Sequence, residues 1–133
     1  MSELPALHDD LVATIADLAA LTARDAPDEA PLAATRYKLT RLSTARRRAI
    51  EMLCAQQISR LPPHEADRLR RFQEEITSQR GTSSRHISEW SPRDIVKNWP
   101  GYCAASATMR AAMLAQIDRE KALLYPLIGA DGR

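Results

Sequence analysis

The stretch Leu7-His8-Asp9-Asp10-Leu11-Val12-Ala13-Thr14-Ile15-Ala16-Asp17-Leu18-Ala19-Ala20-Leu21 carries leucine or isoleucine at 7, 11, 15, 18 and 21, with Thr14 beside Ile15. Steps of three and four stack these side chains on one face of an α-helix, whereas a strand would need strict alternation. The spacing predicts a first helix from about Pro5 to Arg24. Asp9 and Asp10 fall near its positive N-terminal end, where carboxylates are favoured. A helix with one apolar face has to bury that face against something. The rest of the sequence supplies more helices.

After the proline-bearing connection Asp25-Ala26-Pro27-Asp28-Glu29-Ala30-Pro31, a second helix is expected from near Pro31 to about Arg60. Its inward residues would be Leu39, Leu42, Ala45, Ala49, Met52 and Leu53. Leu61-Pro62-Pro63 ends it, because proline cannot continue the hydrogen-bond ladder. A third helix begins around His64, with Ala66, Leu69, Phe72 and Ile76 inward. Gly81-Thr82-Ser83-Ser84 is expected to form a loop or broken turn. Ser91-Pro92-Arg93-Asp94 is a helix start, with a capping serine, a proline in the first turn and a carboxylate three residues on. A short helical piece leads to Trp99-Pro100-Gly101, and a last long helix runs to about Ile128. That helix would face inward with Tyr102, Met109, Ala112 (with Met113), Gln116, Glu120, Leu123 and Leu127.

The expected fold is therefore all-α: one domain over residues 1–133, an up-and-down four-helix bundle with a broken connection between the third and fourth helices. The composition agrees. Only four of 133 residues are glycine, and 44% are hydrophobic, far from the profile of disorder. No apolar run is long enough to span a bilayer. The opening Met1-Ser2-Glu3 lacks the basic start and apolar core of a signal peptide, so a cytoplasmic location is expected. Cys54 and Cys103 form no metal-type or redox-type doublet and are expected to be reduced. Charge is uneven. Residues 1–35 carry one basic and seven acidic side chains, and residues 36–80 carry eleven basic and five acidic ones. Complementary faces on neighbouring helices would explain this, as would a basic patch for an anionic partner.

Glu120 is the residue that asks for chemistry. A buried carboxylate must be paired, hydrogen-bonded, protonated or metal-bound. An inward arginine such as Arg46 or Arg47 would serve, and so would a position facing a groove. For His8, near a helix start, the ordinary reading is a partly exposed or capping residue.

Trp90-Ser91-Pro92-Arg93-Asp94 to Tyr102, followed by Ile117-Asp118-Arg119-Glu120 and the close Leu124-Tyr125-Pro126-Leu127, resembles bacterial hemerythrin-like (HHE cation-binding) domains. Leu7-His8-Asp9-Asp10-Leu11 resembles the family's first-helix histidine motif. The resemblance implies a four-helix bundle around two irons, with His8 and Glu120 as ligands. It also exposes what is missing. The last-helix histidine falls on Gln116, and the second-helix histidine falls on Arg47, a permanent cation, one turn before Glu51. No histidine lies between His8 and His64. His86 is the third-helix match, since His64 sits beside prolines.

The resemblance thus implies a degenerate metal site and a non-enzymatic binding, sensing or protein-interaction module, with no cofactor expected. A homo-oligomer or a protein partner would fit it. The alternative is an iron protein with a reduced ligand set drawn from His8, Glu51, His86 and Glu120. A further alternative is anion or nucleic-acid binding through the arginines around 46–48 and 68–71. Consecutive arginines point to different sides of a helix, and 5% aromatic residues make a poor stacking platform, so nucleic acid is disfavoured. No nucleophile–base pair or phosphate-cradling loop is present, so no enzyme activity is expected.

Overall fold

The computed structural model describes residues 3–131, with side chains through residue 128; the opening Met1-Ser2 lies outside the described residues. Every regular element among them is helical: α1 (Leu4–Thr22), α2 (Glu29–Ile58), α3 (Pro63–Glu89), α4 (Pro92–Lys97) and α5 (Trp99–Asp131). The all-α class is as expected. None of these helices is long and apolar enough to cross a membrane. α1 packs against α2 and α5, α2 also packs against α3, and the short α4 lies on α5.

The turns follow local chemistry. Asp28 precedes α2, but its carboxylate is drawn to Arg24 (3.0 Å) rather than to the helix N–H groups. Ser91 caps α4 by accepting from the Asp94 N–H (3.2 Å), while its hydroxyl donates to the Asp94 carboxylate (2.8 Å). Asn98 does the same for α5, accepting from the Gly101 N–H at 3.1 Å. A Cβ on Gly101 would run into that Asn98 amide, so a larger residue there would push the Asn98 side chain out of its capping position. Trp99 fixes the same corner by donating its indole N–H to the Arg24 carbonyl (2.9 Å). Trp90 and Trp99 flank Tyr102 with ring centroids 5.5 and 5.8 Å away.

The loop expected at Gly81-Thr82-Ser83-Ser84 does not form. α3 runs through it to Glu89. Glycine and serine cost a helix only about 1 kcal/mol or less each, and continuation keeps every backbone hydrogen bond made. Gly81 has no positive φ, and a Cβ there would meet nothing within 4 Å. Gly81→Ala is therefore expected to raise the unfolding free energy by about 0.5–1 kcal/mol. Urea denaturation checks this, and a destabilised variant would show that the helix is interrupted there.

The inward face of α3 matches the expected stripe, and that of α1 does so from Leu11 onward; before it Leu4 and His8 are buried and Leu7 is only half-buried. Those of α2 and α5 match only in part. On α2 the buried residues are Leu32, Leu39, Leu42, Arg46, Ile50, Leu53, Cys54 and Gln57, whereas Met52 is 65% exposed. On α5, Tyr102, Gln116 and Glu120 are buried as expected and Ile117 and Leu124 join them, whereas Ala112 is exposed and Leu123 and Leu127 are only half-buried. Both cysteines are free thiols, as expected. Burial pushes the Cys54 thiol up to about 11, so it stays protonated at neutral pH.

The apolar core falls into two clusters. One gathers Leu11, Ile15 and Leu18 of α1, Leu39 and Leu42 of α2, and Trp99, Tyr102 and Ile117 of α5. The other gathers Leu4, Ile50, Leu53, Cys54, Leu69, Phe72, Ile76 and Leu124. Along α1 the two are separated by His8, along α2 by Arg46 and along α5 by Glu120. A polar layer crosses the middle of the molecule.

Candidate functional site

The layer is built around the Glu120 carboxylate, which is fully buried. α5 carries it inward one turn after Gln116 and one turn before Leu124. Arg46 on α2 grips it like a fork: Nε donates to Oε1 (2.9 Å) and Oε2 (3.1 Å), and Nη2 donates to Oε2 (2.9 Å). His8 on α1, also fully buried, lies with Nε2 at 2.7 Å from Oε1. Gln116 donates to Oε2 at 3.0 Å and accepts from Gln79 of α3 at 2.8 Å. The other ring nitrogen of His8, Nδ1, lies 2.7 Å from the Tyr125 hydroxyl. In the neutral tautomer Nε2–H donates to Glu120, and the tyrosine donates to Nδ1. All four long helices therefore meet in one connected network.

The electrostatics follow from the contacts. Burial alone pushes the Glu120 carboxyl pKa up. The His8, Arg46 and Gln116 hydrogen bonds and the Arg46 charge outweigh it, and hold the carboxyl below its ordinary value of 4.5. The anion is the form this site is made for. Its two oxygens already accept from His8, from both Arg46 N–H groups and from Gln116, so the carboxylate has no unused side.

The sequence candidates divide. His8 and Glu120 are brought together. Glu51 is exposed on α2 and takes no part in the layer. His86 is half-buried on α3, close to Tyr102 (ring centroids 6.2 Å), and away from the layer. Burial, then the Arg36 charge, lowers its pKa, and its Nε2 has no hydrogen-bond partner. Among the described residues, no group of three or more His, Cys, Asp or Glu side chains comes close enough to hold a metal ion.

Compared with protein-family models, curated proteins and solved structures, the chain matches none. Its chemistry has to be read from the layer itself. Arg46 rather than Arg47 reaches Glu120, one of the two arginines the sequence offered. His8 is a core residue, not a surface or capping one. Gln79 and Tyr125 were not foreseen as members. Tyr125, five residues after Glu120, does not share its helix face and reaches the layer only through His8. For Gln79, in the polar stretch of α3, the sequence held no signal.

Proposed function

We propose that the protein is a hemerythrin-like, up-and-down four-helix bundle whose metal centre has been replaced by a guanidinium, leaving a non-enzymatic binding or sensing module. The single observation that supports this most is Arg46 forked onto Glu120 in the core, with three N–H···O contacts of 2.9–3.1 Å. The resemblance makes His8 and Glu120 an iron-ligand pair on the first and last helices, and they do lie side by side. Beside them stands a fixed positive charge. Its delocalised cation neutralises the carboxylate that a metal would otherwise neutralise, and a metal ion there would face a like charge about as close as a ligand.

The residues present do not fit two irons. Such a centre needs several carboxylates and histidines converging from different helices. Here Glu51 faces outward, Gln116 stands in a histidine's place, and His86 lies elsewhere. On this reading the layer is a permanent internal ion pair, and the module acts through its surfaces and grooves.

The test is elemental analysis of tag-free protein after anaerobic loading with ferrous iron. The expected result is no stoichiometric iron, in the wild type and in Glu51→Ala alike. About two irons per chain, with an oxo-bridge absorption that responds to oxygen, would overturn the reading. A single iron lost in His8→Ala would instead establish the reduced ligand set.

A further inference from the structure

Two adjoining cavities, of about 350 and 370 Å³, open between α2, α3 and α5 and share Arg47, Arg80, His86, Met109 and Met113 in their walls. This is the size range of small-molecule sites. Their walls combine two chemistries. Leu18, Leu39, Ile87, Trp90, Met109 and Met113 supply an apolar lining. Arg36, Arg47 and Arg80 supply positive charge. None of these three arginines forms an ion pair with a carboxylate among the described residues. Arg36 donates to the Trp90 carbonyl (2.7 Å), and Arg47 donates to the Thr44 hydroxyl (3.3 Å). Glu89, at the edge of the second cavity, is the acidic residue in its lining.

The charge is not balanced from within. Burial, then the Arg80 and Arg46 charges, pull the Arg47 guanidinium below its ordinary value, and Glu51, one turn on, offsets them only in part. Hydrogen bonding is not balanced either. Tyr102 and His86 both line the first cavity; His86 Nε2 is buried with no partner, whereas the buried Tyr102 hydroxyl has the Ser106 hydroxyl beside it. A buried polar atom without a partner costs about 1–3 kcal/mol, so such atoms are uncommon unless something else satisfies them.

We infer that this groove binds a small organic monoanion, a carboxylate carried on an apolar body. The carboxylate is held by Arg47 and Arg80, and the body lies along the Trp90, Met109 and Met113 wall. Guanidinium groups match a carboxylate in a planar, two-bond geometry. The methionines adapt to irregular apolar shapes. The inference rests on the binding-module reading and deepens it by naming the ligand class.

Calorimetric titration of the full chain tests it, with octanoate and 2-naphthoate as probes and with octanol, octylamine and inorganic phosphate as controls. At least one carboxylate is expected to bind saturably, with octanol about tenfold weaker or worse. Octylamine and phosphate should not bind. Arg47→Gln with Arg80→Gln should reduce carboxylate affinity to the octanol level without loss of thermal stability, because two like charges are removed together. Equal binding of octanol and octanoate, unchanged affinity in the double variant, phosphate binding as tight as the carboxylates, or no saturable carboxylate binding would each overturn the inference. The two readings fail separately. Iron loading by a protein that binds octanoate sinks the metal-free reading alone, and an iron-free protein that ignores both carboxylates sinks the groove alone.

Discussion

Glu120→Gln is expected to lower the unfolding free energy by about 3–5 kcal/mol at neutral pH, because it strands the Arg46 guanidinium in the core without its counter-charge. Both partners are buried, with Arg46 only 9% exposed, so solvent cannot compensate. Arg46→Met should cost less, since His8 and Gln116 still donate to the carboxylate. Removing both charges with Arg46→Met and Glu120→Leu should be milder than Glu120→Gln alone, the sign of coupling that a double-mutant cycle in urea reads directly. Independent, additive effects would show that the two side chains do not meet. The pH dependence has a definite sign. The folded chain keeps Glu120 ionised at pH values where the unfolded chain has already taken up a proton. Its contribution is complete above the ordinary carboxyl value of 4.5 and is lost as the pH falls through the lower folded value. Glu120→Gln should flatten that acid limb. His86, held below its ordinary 6.5 by burial, acts in the same direction and starts at higher pH.

Phe72→Ala should be of similar size, about 3–5 kcal/mol, through lost apolar contact and the cavity left behind. Phe72 is 2% exposed and belongs to the cluster formed with Ile76, Leu69, Leu53 and Leu124. Met52→Ala provides the contrast. With 65% of its surface in solvent, Met52 should change stability by no more than about 0.5 kcal/mol. Equal effects from the two substitutions would place α2 on the wrong face.

That contrast marks where the sequence was legible. Helix type and most helix ends were readable because proline, serine and glycine act locally: Pro62 and Pro63 stop α2, and Ser91 starts α4. The face of α3, and that of α1 beyond His8, were readable because their leucines, isoleucines and Phe72 repeat without interruption. On α2 the same rule failed, because the inward face carries an arginine. A count of apolar residues prefers Met52 over Arg46 and turns the helix by a residue. Gly81 misled for another reason: a single glycine costs less than the hydrogen bonds a break would give up. Glu120 could be singled out as a carboxylate needing a partner, and Arg46 could be named among the partners. The resemblance set His8 beside Glu120 as a fellow metal ligand; that the two bond directly, more than a hundred positions apart, follows from packing that helical periodicity does not encode.

The polar layer has one more consequence. Leucine-rich helices can slide past one another by a turn, about 5.4 Å, and still find apolar neighbours. Such a slide of α5 would set Gln116 or Leu124 level with Arg46 and leave the guanidinium facing no anion. His8 would lose the same partner at once. Two apolar clusters alone would accept several alignments of the four long helices, while the ionic layer between them accepts one. Glu120 works as the key that fixes how far each helix is threaded along its neighbours.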